Sequence, residues 1–218
     1  MLLVIGDPAL SSWSLRPYLI LAHSGLAFDT VLVRLDQPDT RANNLNYSPT
    51  GKVPVFVDPS LGSVWDSLAI AETLAERCPA LWPQNVVDRA RARAITCEMH
   101  AGFAALRRDH PMLLGQRVQH SERSAACLED IRRINQLLGD ALSSARGGPW
   151  LFGAWSIADA FYAPVATRFR THGVIGSGLL AAAVEAWCDE VLADPALLAW
   201  TNGAPGSAAV GAAAAVFG

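Results

Sequence analysis

The stretch SPTGKVPV at residues 48–55 decides the fold. It sets Pro54 at the head of a β-rich run, and a proline has no N–H to donate to a sheet. The bond between Val53 and Pro54 is also of the type in which cis peptides occur. A cis bond there would turn the backbone N–H and C=O of Val53 outward, ready to pair with an extended peptide. An ordinary turn that leads into an edge strand is the alternative, and the sequence alone does not separate the two.

Lys52 lies in the same stretch and is the only lysine of the chain, because the other sixteen of its 17 basic residues are arginines. A coding bias that replaces lysine by arginine wherever a surface charge suffices would explain this imbalance. Under such a bias, a lysine that remains between Gly51 and a Val-Pro pair is a candidate for a specific role.

Residues 1–80 alternate between strand-like and helix-like patterns around this stretch. Residues 43–50, rich in Asn, Ser and Pro, predict an irregular crossover, and Gly25 stands where a helix C-cap glycine belongs. The order β-α-β, crossover, β-β-α predicts a small α/β domain with a mixed sheet. Apolar runs and helical spacing predict strands over 2–6, 28–35, 53–57 and 62–65, and helices over 14–24 and 67–77.

The rest of the chain carries helical periodicity and no convincing strand. Two prolines, Pro79 and Pro83, mark the change, and the small-residue stretch 195–218 is predicted to be a tail. Helices are predicted within 88–110, 119–144, 156–172 and 179–192. We therefore predict a domain over 1–80, a linker over 81–87 and an all-helical domain over 88–218.

Composition excludes several classes of protein. Of the 218 residues, 51% are hydrophobic and 17% are charged, which suits a sizeable folded core. The formal net charge of -3, with no basic run, disfavours a general nucleic-acid binder. No stretch suits a membrane span or a secretory signal, so we expect a cytoplasmic protein. The cysteines and histidines lack metal-ligand spacing and no glycine-rich phosphate loop is present, so neither a metal nor a nucleotide cofactor is expected.

SSWSLRP, at residues 11–17, lies between the first predicted strand and the first predicted helix. The amino end of a helix favours an anion through its unpaired N–H groups and its dipole. A serine there could donate a hydrogen bond to a thiolate and lower the pKa of the thiol, without being a nucleophile itself. The alternative is that Ser12 or Ser14 only caps the helix.

Two further motifs begin predicted helices. In DSLAI, at residues 66–70, Ser67 could cap the helix, or its hydroxyl could hold a ligand carboxylate while Asp66 takes an ammonium group. SIAD, at residues 156–159, matches a capping box in which the two end side chains satisfy each other's backbone N–H groups. We therefore assign Asp159 a structural role.

In this order, the motifs resemble those of one family, the cytosolic glutathione transferases, from Met1 to about Trp200. The pair SPTGKVP and DSLAI is the most specific part of the resemblance. It implies a thioredoxin-like amino-terminal domain of order β-α-β-α-β-β-α with a mixed sheet, followed by an all-helical domain. It also implies a homodimer and a glutathione transferase activity, in which glutathione is the co-substrate and attacks an electrophilic small molecule.

The resemblance assigns the residues that would hold glutathione. Val53 would pair through its backbone with the cysteinyl unit, ahead of the family's cis-proline at Pro54. Asp66 and Ser67 would take the γ-glutamyl ammonium and carboxylate groups, and Lys52 would lie near the glycyl end.

The same resemblance implies a residue that activates the thiol. The Ser-Ser-x-Ser-x-Arg spacing is most similar to the serine-type zeta and theta classes, which ranks Ser12 first and Ser11 second. Arg16 could add positive potential, and Trp13 stands where thiol-forming bacterial classes tend to place cysteine. The electrophile would lie between the domains, with candidate contacts at His100, Phe103, Ala104, Arg107, Arg108 and Met112.

Two alternative functions stay open. One is a glutathione-dependent cis-trans isomerase similar to maleylacetoacetate isomerase. Arg168 and Arg170 lie on the predicted core helix, but neither matches the zeta spacing from Pro164 for an arginine that binds a dicarboxylate. The other alternative is a protein that binds glutathione, or uses this scaffold for protein contacts, with little turnover.

Overall fold

The computed structural model describes residues 1–119, 122–203 and 207–208 of the chain. The predicted fold class is confirmed, because a thioredoxin-like β-α-β-α-β-β-α half precedes a mostly helical half. A 3-10 turn over Pro79–Leu81 lies between the two. The strands and helices are β1 (Leu2–Ile5), α1 (Ser12–Ser24), β2 (Asp29–Leu32), α2 (Thr40–Leu45), β3 (Val55–Asp58), β4 (Gly62–Val64), α3 (Ser67–Arg77), α4 (Val86–Ala101), α5 (Ala104–Asp109), α6 (Ala125–Ser144), α7 (Ile157–Thr171), α8 (Ala182–Ala193), α9 (Pro195–Thr201) and β5 (Ser207–Ala208).

A mixed sheet with the strand order β4-β3-β1-β2-β5 forms the first layer. Strand β1 runs parallel to β2 and antiparallel to β3, and β3 runs antiparallel to β4. Strand β1 is central because it is a continuous apolar run, with Leu3, Val4 and Ile5 all buried. The short β5 pairs in parallel with β2, so the second half of the chain is not wholly helical as predicted.

Helix α7 is the centre of the helical half and contacts α1, α4 and α8. It begins at the predicted capping box, in which the Ser156 side chain and the Asp159 side chain each accept from the other's backbone. Nearly all of its side chains are buried. Because α7 packs on α1, one hydrophobic core continues from the first half of the chain into the second.

Several boundaries differ from the sequence-based predictions. Helix α2 occupies part of the stretch that we predicted to be irregular. Helix α4 begins inside the predicted linker, because the side chain of Asn85 accepts hydrogen bonds from the first backbone N–H groups of the helix. Helix α9 occupies the start of the predicted tail, where Asp194 caps it and Pro195 takes the first helical position.

The predicted helical stretch 88–110 consists of two helices. Helix α4 ends before Gly102, and α5 begins after Phe103, which has a φ of 60°. A Cβ on Gly102 would lie 2.8 Å from the backbone oxygen of Glu98, so the chain turns at a position that only glycine fits. Arg107 closes the turn, with its Nε donating to the carbonyl of Gly102 at 3.1 Å.

Helix α6 begins at Ala125, later than predicted, where the Ser124 side chain accepts from the N–H of Cys127. Residues 120–121, like 204–206 and 209–218 of the predicted tail, lie outside the described residues. Among the helices of the described part, none is long and apolar enough to cross a membrane. The division into domains over 1–80 and 88–218 stays a prediction.

Candidate functional site

A cavity of about 460 Å³ lies where the loop before β3, the start of α3 and the helix α4 meet. The five residues predicted to hold glutathione all line it. The full lining is Trp13, Thr50, Lys52, Val53, Pro54, Trp65, Asp66, Ser67 and His100. Of the predicted electrophile contacts, only His100 is among these lining residues.

The loop before β3 presents free backbone to the cavity. The Val53–Pro54 bond is cis, as is the bond between Trp65 and Asp66, which also line the cavity. The N–H of Lys52 donates to Thr50 Oγ1 at 3.3 Å, and this bond holds the backbone that leads into Val53. Among the hydrogen bonds of the described residues, none involves the backbone of Val53. Its N–H and C=O are therefore available to an extended ligand.

The start of α3 presents a carboxylate and a hydroxyl. Asp66, and not Ser67, caps the helix, because its Oδ1 accepts from the N–H of Leu68 at 2.9 Å. Its Oδ2 lies 3.1 Å from Nε2 of His100, so this carboxylate joins the two halves of the chain across the cavity. Ser67 is buried, and its hydroxyl has no hydrogen-bond partner among the described residues. A buried, unpaired hydroxyl is a ready donor to a ligand.

Ser11 performs the capping role that we had considered for Ser12 or Ser14. Its Oγ accepts from the N–H of Ser14 at 3.3 Å and donates to Ser14 Oγ at 2.8 Å. Ser14 Oγ in turn accepts from the N–H of Gly6 at 3.0 Å, which joins the start of α1 to the end of β1. The Ser11 hydroxyl therefore both donates and accepts a hydrogen bond inside the fold.

Ser12 begins α1 and is only 5% exposed. Ser12 is not among the lining residues of the cavity, whereas its neighbour Trp13 is. Its Oγ accepts a hydrogen bond from Nη2 of Arg168 on α7 at 3.2 Å. That bond uses a lone pair of the hydroxyl and leaves its hydrogen without an acceptor among the described residues.

Two guanidinium groups lie against Trp13. The Cζ atom of Arg16 is 4.4 Å from the ring centroid, and that of Arg107 is 4.6 Å from it. Burial, followed by repulsion from Arg107 and Arg168, holds the pKa of Arg16 well below its ordinary value. Burial, followed by repulsion from Arg107, lowers the pKa of Arg168 to about 9. The predicted positive potential at Arg16 is thus part of a larger cationic cluster.

The remaining predicted electrophile contacts lie elsewhere. Phe103 and Met112 are buried in the hydrophobic core. Arg108 is exposed and its Nε donates to Asp109 at 2.8 Å. Ala104 is exposed at the start of α5. Within the described residues, no group of three or more His, Cys, Asp or Glu side chains could hold a metal ion.

The family model for the glutathione S-transferase N-terminal domain matches residues 10–77. The match includes the serine loop, the strand-leading proline and the start of α3, which are the motifs that carried the resemblance. The resemblance to the glutathione transferases is therefore confirmed over residues 10–77, whereas the zeta or theta class stays a prediction.

Relatives of similar length extend the likeness over the chain. Stringent starvation protein A homologues of Histophilus somni and Pasteurella multocida are 24% and 25% identical, each over 79% of this chain and 77% of theirs. A Burkholderia glutathione transferase homologue with bound glutathione has a TM-score of 0.69 at 21% identity, over 92% of this chain and 96% of its own. Ure2p in complex with S-hexylglutathione has a TM-score of 0.71 at 20% identity, over 92% and 97%. These structures show that the fold is shared.

Proposed function

We propose that the chain binds glutathione in the cavity beside Trp13. The observation that carries this proposal is the convergence of Lys52, Val53, Asp66 and Ser67 on one cavity, where the Val53 backbone and the Ser67 hydroxyl have no hydrogen-bond partner among the described residues. Free backbone groups suit the cysteinyl unit of a bound peptide, which would add to the sheet as a short strand. Glutathione complexes of proteins with this fold support the same ligand.

The charged side chains that line the cavity suit the two charged ends of glutathione. Asp66 offers a carboxylate to the γ-glutamyl ammonium group, and the Ser67 hydroxyl can donate to the adjacent carboxylate. Lys52 lines the cavity and is exposed, so its ammonium group can meet the glycyl carboxylate. Because His100 lies 3.1 Å from Asp66, the ligand's ammonium group would share this carboxylate with the imidazole.

Calorimetric titration of reduced glutathione tests the binding proposal. We expect a Kd between micromolar and millimolar that Ser67→Ala and Lys52→Ala each weaken by about three- to tenfold, the effect of losing one hydrogen bond with a net contribution of about 0.7–1.4 kcal/mol. Ser143→Ala, an exposed serine on α6, is the matched control and should bind as the wild type does. Absence of binding at millimolar glutathione would contradict the proposal.

For the chemistry, we propose a glutathione transferase in which Ser12 stabilises the thiolate. The hydroxyl of Ser12 accepts from Arg168, so its free hydrogen can be donated to sulfur. Lowering the thiol pKa by about two units requires about 2.7 kcal/mol, which a charge-assisted hydrogen bond in a cationic environment can supply. Ser11 has no such free hydrogen, since it donates to Ser14.

The pair Ser12→Ala and Ser11→Ala tests this assignment. We expect Ser12→Ala to bind glutathione with the affinity of the wild type but to lose most turnover. The pKa that governs the acidic limb of its pH–rate profile should rise, because the thiolate loses a hydrogen bond. Ser11→Ala should keep the thiol pKa while losing about 1 kcal/mol of stability through its cap. Loss of turnover and a raised thiol pKa in Ser11→Ala, with both unchanged in Ser12→Ala, would refute the assignment to Ser12.

A second candidate function is glutathione binding without turnover. It is favoured by the burial of Ser12 and by relatives that carry the name stringent starvation protein A rather than that of a transferase. A screen with chloro-nitro-aromatics, epoxides, peroxides and maleylacetoacetate-like diketo acids separates the candidates. Turnover of the diketo acid alone would support the isomerase alternative, and no turnover with retained binding would support the second candidate.

Assembly and location are proposals that rest on the family. We propose a cytoplasmic homodimer whose protomers each carry one cavity. Sedimentation equilibrium should give twice the chain mass, and a monomer at micromolar concentration would contradict it. Fractionation of the source cells tests the location.

A further inference from the structure

Three guanidinium groups form a cluster at the start of α1: Arg16 and Arg107 lie against the Trp13 ring, and Arg168 donates to Ser12. Among the ion pairs of the described residues, none involves Arg16, Arg107 or Arg168. Arg16 is fully buried, and its Nη1 and Nη2 have no acceptor in the described part of the chain. Burying an unpaired cation is costly, so this cluster is a place where an anion would be strongly stabilised.

The nearest carboxylates are committed to other partners. Asp66 accepts from Leu68 and lies against His100, and it is the carboxylate that we assign to the ammonium group of glutathione. Asp130 accepts from the N–H of Leu106 at 2.9 Å. The glutathione thiolate at Ser12 would balance one of the three charges. An excess of positive charge would therefore remain when glutathione is bound.

Arg107 is the member of the cluster that a second ligand can reach. Its side chain is partly exposed, whereas Arg16 and Arg168 are buried. Its Nε and Nη2 donate to the carbonyls of Gly102 and Met99, which fixes the plane of the guanidinium group against the Trp13 ring. Its Nη1 makes no hydrogen bond among those of the described residues, so it can donate to a carboxylate.

On the basis of the proposed transferase function, we infer that the second substrate is an electrophile that carries a carboxylate. Arg107 would contact this carboxylate, while the buried Arg16 and Arg168 add positive potential. Trp13, which lines the cavity and touches Arg107, offers an apolar ring face to the body of the same substrate. A neutral electrophile of the same shape would lose the contact to Arg107.

Two product conjugates that differ in one group test the inference without any need for turnover. They are S-(4-carboxy-2,6-dinitrophenyl)glutathione and its aryl methyl ester, each titrated into the full chain by calorimetry. We expect the carboxylate to bind about tenfold or more tightly than the ester, as for one hydrogen bond between charged groups. In Arg107→Gln the preference should fall to about twofold or less, and in the control Arg132→Gln, an exposed arginine on α6, it should persist.

The ratio of the affinities for the carboxylate and ester conjugates shows whether Arg107 binds the carboxylate or only supports the fold. If Arg107 only supports the turn at Gly102, its replacement weakens both conjugates alike and leaves the ratio unchanged, which overturns the inference. Equal binding of the two conjugates by the wild type also overturns it. Titrations of glutathione, and of 3,5-dinitrobenzoate against its methyl ester, run beside these. If glutathione does not bind, but 3,5-dinitrobenzoate binds more tightly than its methyl ester and Arg107→Gln removes that preference, the proposed function fails and the anion site stands. If neither the two conjugates nor 3,5-dinitrobenzoate and its ester differ in affinity, the anion site is refuted.

Discussion

Replacing Asp159 by alanine would remove an acceptor that four buried donors share. Asp159 Oδ1 accepts from the N–H of Leu151 at 3.1 Å and from Nε1 of Trp187 at 3.0 Å. Its Oδ2 accepts from the backbone N–H of Ser156 at 2.9 Å and from the Ser156 hydroxyl at 3.0 Å. Each buried donor left unpaired costs about 1–3 kcal/mol, so the four together cost about 4–12 kcal/mol before any relaxation.

The buried charge of Asp159 offsets part of that loss. Burial raises the pKa of Asp159 to about 6, against the lowering effect of its hydrogen bonds from Trp187, Leu151 and Ser156. Relative to about 3.9 in the unfolded chain, the ionised carboxylate costs about 3 kcal/mol at neutral pH, and alanine removes this cost. With some relaxation of the donors, we expect Asp159→Ala to lose about 4 kcal/mol at pH 7, a large share of a typical stability of about 5–15 kcal/mol.

The pH dependence of this loss has a defined sign. Because the folded pKa lies above the unfolded one, the protonated side chain contributes stability that is complete below about pH 4 and is lost as the pH rises through 6. The gap in the free energy of unfolding between wild type and Asp159→Ala should therefore widen by about 1.4 kcal/mol when the pH is lowered from 8 to 5.

Urea unfolding followed by circular dichroism at the two pH values measures the gap. Asp140→Ala, an exposed aspartate on α6, is the control and should change stability by less than about 0.5 kcal/mol. If Asp159→Ala does not fold, Asp159→Asn keeps one acceptor oxygen and should lose less. A loss under about 1 kcal/mol, or a gap that narrows on acidification, would refute the reasoning.

Two further predictions concern the buried serine and the thiols. Ser14→Ala should lose about 1–3 kcal/mol in the same unfolding assay, because the buried N–H of Gly6 loses its acceptor; an unchanged midpoint would contradict the bond at 3.0 Å. Cys97 is exposed and should react rapidly with Ellman's reagent. Burial raises the pKa of the Cys127 thiol to about 11 and of the Cys188 thiol to about 12, so both should react only on unfolding, and fast labelling of either in the folded protein would contradict this.

The residues that line the cavity could be predicted because two short motifs, SPTGKVP and DSLAI, together resemble those of the glutathione transferases, and the resemblance assigns both motifs to one ligand. Each motif alone is a weak signal, since a proline ahead of a strand and a serine at a helix start also have purely structural uses. The capping residues were each predicted one or more positions too late, at Ser12 or Ser14 rather than Ser11 and at Ser67 rather than Asp66. Neighbouring polar residues compete for a cap, and backbone dihedral angles decide between them.

What the sequence could not show is contact between distant residues. The hydrogen bond from Arg168 to Ser12 joins positions 156 residues apart, and nothing in local periodicity indicates it. The arrangement of Trp13 between the cavity and two guanidinium groups depends on the break at Gly102, which brings α5 to α1. That glycine was a visible signal, since an isolated glycine in a helical pattern can mark a turn.

Helix α7 connects the stability of the fold to the chemistry that we propose at Ser12. Asp159 fixes its first turn, and Arg168, nine residues and about 13.5 Å further along, donates to Ser12. The cavity residues Val53 and Ser67, by contrast, come from the first half of the chain. A folded Asp159→Asn variant should therefore keep its affinity for glutathione but bind it with a raised thiol pKa, seen in the thiolate absorbance. An unchanged thiol pKa together with a lowered stability would show that α7 supports the fold without setting the position of Arg168.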